Sequence, residues 1–413
     1  MRAVVAASAA GPGVLKPEQP AMTVLLGALI AGAPLAMDVY LASMPSMTRS
    51  LGASAADVQL TLSVYMFGWG IAQLVAGPLA DRYGRRPPLI AALAVFVVAS
   101  AACAASTTVG ALIAARFVQA VSMATIAVVP RAVVRDLYAG ERAAYVLSLM
   151  GMVLGIAPIA APIIGSHLHV WFGWQANFVF VAVYGAILLA CVVWAMPETL
   201  RARNPRATDV RVMVANYARL LRSRRYVGYL LVGSFTAAGL FAFLAGSAFV
   251  FVDVMGQTEQ GFGFLFGSVM LGGITGATVG SRFVRRTGID RMIAGALWLM
   301  VAAGVTVGGL AWGGVAHPLA VVAPMFLFMV ALMMTMPQAM AGALTPFPDI
   351  AGSAAALLQF CQFVVAAASA LAVGATFDGT VRPMATVVML GAIAAFVAHR
   401  WLLDRDRPPR VAG

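Results

Sequence analysis

Residues 77–87 read Gly-Pro-Leu-Ala-Asp-Arg-Tyr-Gly-Arg-Arg-Pro, a short charged stretch between two long apolar segments. Gly84 permits a tight turn at this point, and the turn would present Arg85 and Arg86 on the loop. A similar stretch, Arg-Arg-Thr-Gly-Ile-Asp, follows at 285–290, about half the chain further on. This offset predicts a duplicated unit, with one such loop in each half.

The segments on either side of these loops predict an all-α membrane protein. Apolar residues make up 62% of the 413 positions and charged residues only 10%, which leaves too few polar side chains to cover a water-soluble protein. A spanning helix takes about 20 apolar residues, so this composition allows about twelve spans. Twelve apolar segments are predicted to cross the membrane: 23–44, 58–80, 88–106, 109–131, 144–167, 176–197, 226–252, 262–281, 291–311, 319–342, 352–377 and 384–402.

The positions of the arginines predict the orientation. Alternate connections are rich in arginine, including eight between Arg201 and Arg225, whereas the other connections hold only Arg49 and Arg382. Positively charged loops stay in the cytoplasm, so both termini are expected there. The net charge of +12 is therefore interpreted as this loop bias, with anionic membrane lipid as the partner of the basic loops and no nucleic acid. The predicted organisation is a tail at 1–22, a six-helix half at 23–199, a basic linker at 200–225, a second six-helix half at 226–402 and a tail at 403–413.

Ionisable residues inside a span are rare and costly, and each is a candidate functional residue. Asp38 lies deep in the first span between Pro34 and Pro45, and Arg116 lies in the fourth with Gln119 one turn further on the same face. A buried carboxylate is a natural proton carrier, because loss of water favours its protonated form and a nearby cation favours the ionised form. Arginine stays charged and serves as a fixed cation. Snorkelling to the membrane edge is the alternative for both charges.

The 77–87 stretch resembles motif A of the major facilitator superfamily, Gly-x-Leu-x-Asp-Arg-x-Gly-Arg-Arg. The resemblance implies the fold of that family and a cytoplasmic gate that joins the two halves when the transporter opens outward. Physically, the glycine before the loop permits close helix contact, and the aspartate can accept hydrogen bonds from a helix N-terminus or pair with an arginine. The matching gate residues are Gly77, Asp81, Arg82, Gly84, Arg85 and Arg86.

The fourth and fifth spans resemble motifs B and C of drug antiporters. Arg116 and Gln119 match motif B. The fifth span carries small residues that favour close helix packing and prolines that bend the helix, and helix packing alone would also explain them. The residues that resemble motif C are Gly151, Gly155, Pro158, Pro162 and Gly165.

Further stretches, at 38–45, 59–65 and 171–174, resemble the Bcr/CflA subfamily of drug:proton antiporters. This resemblance implies export of a lipophilic antibiotic, most simply a phenicol such as chloramphenicol, across the bacterial inner membrane. It implies alternating access in a monomer that needs no cofactor and is driven by the proton gradient, with Asp38 and Arg116 coupling protons. The expected substrate site comprises Asp38, Tyr40, Tyr65, Arg116, Gln119, Gln359 and Gln362, although ordinary helix packing explains the uncharged members equally well.

Three other functions remain as alternatives. A proton-coupled importer, or an exporter of another metabolite, would use the same fold. A membrane enzyme or redox subunit would need a catalytic or metal-binding cluster, but the four histidines fall at span ends and the three cysteines stand alone in apolar runs, so neither catalytic residues nor a metal site is expected. A sensor would require an attached signalling domain.

Overall fold

A computed structural model describes residues 15–16, 19–205 and 207–403, and the rest of both predicted tails lies outside these residues. Every regular element within these ranges is helical, and twelve helical segments are long and apolar enough to cross a membrane, which confirms the predicted number. The α-helices are α1 Pro20–Asp38, α2 Met44–Leu51, α3 Ala55–Tyr83, α4 Arg86–Ala104, α5 Val109–Leu137, α6 Gly140–Phe172, α7 Gln175–Ala195, α8 Val210–Leu221, α9 Arg224–Ala248, α10 Glu259–Thr287, α11 Ile289–Trp312, α12 Pro318–Leu344, α13 Ala351–Ala375 and α14 Arg382–Leu402.

The first span is broken rather than continuous. Helix α1 ends at Asp38, a 3₁₀ turn follows at Leu41–Ser43, and α2 completes the span. Pro45 lies in the first turn of α2, where its missing N–H costs nothing, but it could not continue the hydrogen bonds of α1. The break exposes backbone carbonyls deep inside the protein, at the position of the acidic side chain.

The seventh span is irregular at the same end of the molecule. Helix α9 passes into a π-helical segment at Phe249–Val254 before the chain turns toward α10. π-Helical segments recur at functional sites. The first span of each half therefore departs from α-helical geometry toward its C-terminal end. This is what duplication of a six-helix unit predicts.

The loops between spans define two ends of the molecule. The basic end carries the arginine-rich loops and the linker, and the opposite end carries the other connections. At the opposite end two polar pairs join the halves: Arg49 Nη1 lies 3.8 Å from Asp253 Oδ1, and His169 Nε2 lies 3.0 Å from Glu259 Oε1. Helix α6 also packs against α10, and α3 against α13. The two halves are therefore closed on each other at the opposite end.

The segment between the halves contains a helix that is not predicted from the sequence. Within the predicted linker, residues 210–221 form α8, whose N-terminus is capped by the Asp209 carboxylate accepting from Arg211 N–H at 2.9 Å. Helix α8 contacts α9 and α13 of the second half at the basic end, and it faces α3 of the first half across a groove. Asn216 Nδ2 donates to Ser353 Oγ at 3.3 Å, and Arg219 pairs with Asp349 at 2.5 Å.

Candidate functional site: a buried charge cluster

Asp38 lies at the C-terminal end of α1, where the first span breaks. The side chain is 2% exposed, and its Oδ1 has no hydrogen-bond partner in the described part of the chain. An ionised carboxylate in this position would lack both water and a direct ion pair, an arrangement that costs several kcal/mol. The site therefore suits a carboxyl group that gains and loses a proton.

Arg116 lies fully buried on α5 and faces the same break. Its Nη1 donates to the Ala36 carbonyl at 2.9 Å and to Gln119 Oε1 at 2.5 Å. The Ala36 carbonyl belongs to the last turn of α1, where helical partners run out, so the guanidinium satisfies a carbonyl that the break leaves free. Arg116 is close enough to Asp38 for their charges to interact, although the two side chains make no direct ion pair among the described residues.

Aromatic rings enclose the guanidinium. Its central carbon lies 4.4 Å from the ring centroid of Tyr40, 4.0 Å from that of Tyr65 and 5.8 Å from that of Phe178. Rings at these distances stabilise a cation through their negative faces, and the effect grows when water is excluded. Both tyrosines are predicted from the sequence but Phe178 is not, because a phenylalanine in an apolar span gives no signal of its own.

A hydrogen-bond chain fixes the orientation of Gln119. Its Nε2 donates to Ser100 Oγ at 2.8 Å, and that hydroxyl donates to the Phe96 carbonyl on α4 at 2.6 Å. The amide oxygen of Gln119 is therefore held toward Arg116. Ser100 is a further residue that sequence reasoning missed, since small hydroxyl residues are common in membrane helices.

Several polar atoms of the cluster have no partner among the residues described. They are Asp38 Oδ1, Tyr65 Oη and Arg116 Nε and Nη2. By contrast, Tyr40 Oη lies 3.2 Å from Thr61 Oγ1. Buried polar groups are normally satisfied, so these atoms mark a place where a proton or a polar group of a substrate can bind.

A row of aromatic rings connects the cluster to the second half. Tyr65 packs edge-on against Trp69 with centroids 5.8 Å apart, and Trp69 stacks on Phe363 of α13 at 5.2 Å. Phe363 in turn lies 6.0 Å from Phe241 of α9. Trp69 Nε1 has no partner in the described chain. These rings contact one another across the two halves and were not predicted.

The two glutamines predicted for the second half, Gln359 and Gln362, take no part in the hydrogen bonds of this cluster. Gln362 is buried beside Gly233 of α9, and its Nε2 lies 3.9 Å from Met336 Sδ of α12. Gln359 is half-buried on α13. No hydrogen bond in the described ranges joins either of them to Asp38 or Arg116. Arg116, by contrast, contacts Gln119, Tyr40 and Tyr65 directly and lies near Asp38.

The motif A loop is held inside the first half. Arg85 pairs with Asp81 and donates from Nε to Asp136 Oδ2 at 2.8 Å. The Glu198 carboxylate accepts from the backbone N–H groups of Arg85 and Arg86 at 2.9 and 3.1 Å. Burial lowers the pKa of the Arg85 guanidinium, but its hydrogen bonds to Asp136 and Asp81 outweigh burial and the pKa is raised. This arginine stays charged.

Motif A makes no hydrogen bond to the second half within the described residues. Arg82 donates to the Thr208 hydroxyl, and the Asp81 carbonyl accepts from Asn204 N–H at 3.0 Å, so the remaining contacts go to the linker. This differs from the gate between halves that the resemblance implies for an outward-open transporter, and it accompanies closure at the opposite end. The turn expected at Gly84 is present, with φ +103°. The prediction of a close helix contact at Gly77 is wrong, because a Cβ at this position would have no neighbour within contact distance.

The motif C residues differ in their contacts. A Cβ at Gly165 would collide with the Val39 carbonyl in the break of the first span, so glycine is required there. Gly155 faces Ile274 of α10 at an ordinary distance, and Gly151 faces open space, so the predicted close packing at Gly151 is wrong. Pro158 and Pro162 both lie inside α6.

The twelve spans and the buried charge cluster define a multi-pass membrane transporter. A family model, the Major Facilitator Superfamily, matches residues 24–370, and the chain belongs to this family. This assignment makes it a transporter of the bacterial inner membrane rather than an enzyme.

Individual relatives indicate a subfamily within this superfamily. The bicyclomycin resistance protein homolog of Haemophilus influenzae is 28% identical over 393 residues, which cover 93% of this chain and 96% of that protein. The chloramphenicol resistance protein of Pseudomonas aeruginosa is 30% identical over 302 residues, 71% of this chain and 68% of that protein. These relatives confirm the resemblance to the Bcr/CflA subfamily. A bacterial homolog of the lysosomal transporter Spinster has the same fold, with a TM-score of 0.71 at 14% identity, over 95% of this chain and 100% of that one.

Proposed function

We propose that this protein exports a lipophilic antibiotic of the phenicol class, such as chloramphenicol, in exchange for protons. The export would proceed by alternating access, with drug taken up at the basic end, which faces the cytoplasm, and released at the opposite end. One observation supports this proposal: a buried carboxyl group, one oxygen of which has no partner within the described part of the chain, lies at a break in the first span, near a fixed guanidinium.

Asp38 is the proposed coupling residue. Protonation removes the cost of keeping a carboxylate out of water, while the Arg116 charge favours the ionised form, so small changes at the site can move the proton. A drug that donates hydrogen bonds to the carboxylate, or brings water with it, would favour loss of the proton. Reprotonation from the opposite end would then displace the drug, and inward proton flow would drive export.

The walls of the site favour a neutral amphiphile. Tyr40, Tyr65 and Trp69 are buried aromatic side chains beside the charge cluster, and Tyr65 Oη and Trp69 Nε1 are hydrogen-bond donors without a partner among the described residues. A sugar needs many convergent polar groups, which this aromatic lining does not supply. The chloramphenicol resistance protein of Pseudomonas aeruginosa supports the phenicol class as the first substrate to test.

The experiment is transport of radiolabelled chloramphenicol into inside-out vesicles under an imposed proton gradient. We expect accumulation with the native protein, loss of accumulation with an uncoupler, and no gradient-driven accumulation with Asp38→Asn. The matched control is Asp378→Asn, because Asp378 is an exposed carboxylate in a loop that bonds only to Thr380 among the described residues. The control variant should transport like the native protein.

Three outcomes would contradict parts of the proposal. Uptake that survives Asp38→Asn would move the proton site elsewhere. If the native protein does not transport chloramphenicol under any gradient, chloramphenicol is excluded as a substrate and the fold assignment is unaffected. Drug leaving inside-out vesicles as protons flow out of them would favour the proton-coupled importer.

A further inference from the structure

Helix α8 is amphipathic, and part of its apolar stripe is open. At about 100° per residue, the residues Val210, Met213, Val214, Tyr217 and Leu221 fall on one side of the helix. Met213 and Tyr217 are half-buried, but Val210, Val214 and Leu221 are exposed by 69%, 58% and 52%. A helix that serves only as a solvated linker has no reason to expose three large apolar side chains along one edge.

The open stripe forms one wall of a groove against α3. The groove has a volume of about 370 Å³ and is lined by Leu74 and Leu79 of α3 and by Val210, Met213 and Val214 of α8. Tyr217 closes the groove farther along α8. Its partial burial there raises the pKa of its hydroxyl. The groove lies where α3 reaches the basic end, so it opens at the membrane surface.

Arginines flank the stripe. Arg211 and Arg222 lie three turns apart on the same edge of α8, and both are exposed. Arg211 lies beside the exposed Val210 and Val214, and Arg222 lies beside Leu221. Neither makes an ion pair within the described residues, in contrast to Arg219, which is paired with Asp349. Arg82 adds a third positive charge at the end of the groove, where it donates to Thr208.

We propose that this groove is a binding site for an anionic phospholipid of the surrounding membrane. One acyl chain would lie between α3 and α8, and the headgroup phosphate would bind Arg211, while Arg222, about 16 Å further along α8, would add to the positive charge that attracts an anionic lipid. The combination of an apolar slot, an open apolar edge and unpaired guanidinium groups beside it matches the two parts of such a lipid. Arginine also binds phosphate oxygens with two parallel hydrogen bonds.

The test is native mass spectrometry of the full-length protein in detergent, with dioleoyl-phosphatidylglycerol or dioleoyl-phosphatidylcholine added. We expect the native protein to retain phosphatidylglycerol in preference to phosphatidylcholine. A basic residue near an anionic surface contributes about fivefold in affinity, so Arg211→Gln with Arg222→Gln should weaken phosphatidylglycerol retention by roughly 25-fold. Phosphatidylcholine retention should change little.

The matched control is Arg201→Gln with Arg203→Gln, which removes the same charge from the same linker outside α8. This control should bind phosphatidylglycerol like the native protein. Val214→Trp provides a second variant, which fills the groove without changing charge and should reduce retention of both lipids. The thermal melting temperature of each variant establishes that it is folded, and if the double arginine variant is unfolded, Val214→Trp decides alone.

Equal retention of the two lipids by the native protein would overturn the proposal. So would equal losses in the two double variants, because that result would indicate a diffuse charge effect without a site. Retention that is unaffected by Val214→Trp would place the lipid outside the groove.

Discussion

The Arg116 side chain both donates hydrogen bonds and packs against aromatic rings, and a lysine at this position could not make both kinds of contact. An ammonium group can reach either the Ala36 carbonyl or Gln119, but it lacks the planar guanidinium that lies between Tyr40 and Tyr65. Each hydrogen bond to a charged group contributes about 1.5–3 kcal/mol. We therefore expect Arg116→Lys to lower gradient-driven chloramphenicol uptake by roughly tenfold or more, measured at equal protein in vesicles.

The control for this substitution is Arg135→Lys. Arg135 lies on the same helix but is exposed, and its replacement should leave uptake unchanged. Native uptake by Arg116→Lys would contradict the expectation, since it would mean that only the positive charge matters at this position.

The same residues show how far sequence reasoning reaches into the site. Asp38 and Arg116 could be found because charges are costly inside a membrane, and Gln119 because it follows on the same helix face. Ser100 and Phe178 could not be found, since their types are ordinary in a span and only the folded packing of α4 and α7 brings them to the cluster. The roles of all these residues in transport remain predictions.

At the level of elements, the break in the first span depends on a close contact with α6. Gly165 lies against the Val39 carbonyl, so Gly165→Ala would push α6 away from the break or shift the backbone that presents Asp38. We expect this variant to lose most gradient-driven uptake and to melt at a lower temperature in detergent.

Gly151→Ala is the matched control, because Gly151 lies on the same helix and faces open space. Alanine is about 1 kcal/mol more favourable than glycine inside a helix, so this variant should melt at the same or a higher temperature and should transport normally. Equal effects of the two substitutions would show that the break does not depend on the contact at Gly165.

The polar pairs at the opposite end stabilise closure of that end. The His169–Glu259 pair is mostly buried, whereas Arg49 and Asp253 are partly exposed, so the first pair should contribute more. A contribution of about 1 kcal/mol corresponds to a roughly fivefold change in the ratio of open to closed molecules. We expect Glu259→Gln to shift the population toward the open state by about this factor, and Asp253→Asn to shift it less.

Distances between spin labels on the loops at 105–108 and 313–317 would measure this shift, in a background without Cys103, Cys191 and Cys361. The two loops belong to different halves at the opposite end and should move apart as that end opens. An unchanged distance distribution in Glu259→Gln would assign closure to the apolar contacts between α6 and α10 instead.

At the scale of the whole molecule, the helix count and the arrangement as two halves followed from composition and loop charge. The conformation did not, because closure at one end depends on side-chain pairs such as Arg49 with Asp253, which lie far apart in sequence. The linker helix α8 was also not predicted. Along the sequence its apolar residues alternate with arginines such as Arg211 and Arg219, and this pattern is typical of a solvated basic segment.

The orientation in the membrane is the remaining whole-molecule prediction. If arginine-rich loops stay inside, the basic end faces the cytoplasm and the opposite end faces outward. In a cysteine-free background, a membrane-impermeant maleimide should label Val315→Cys in intact spheroplasts, because Val315 is 41% exposed at the opposite end. Arg222→Cys, in the exposed part of the linker, should be labelled only after the membrane is opened. The reverse pattern would place the linker outside, and the direction proposed for drug export would then be wrong even if Asp38 carries the proton.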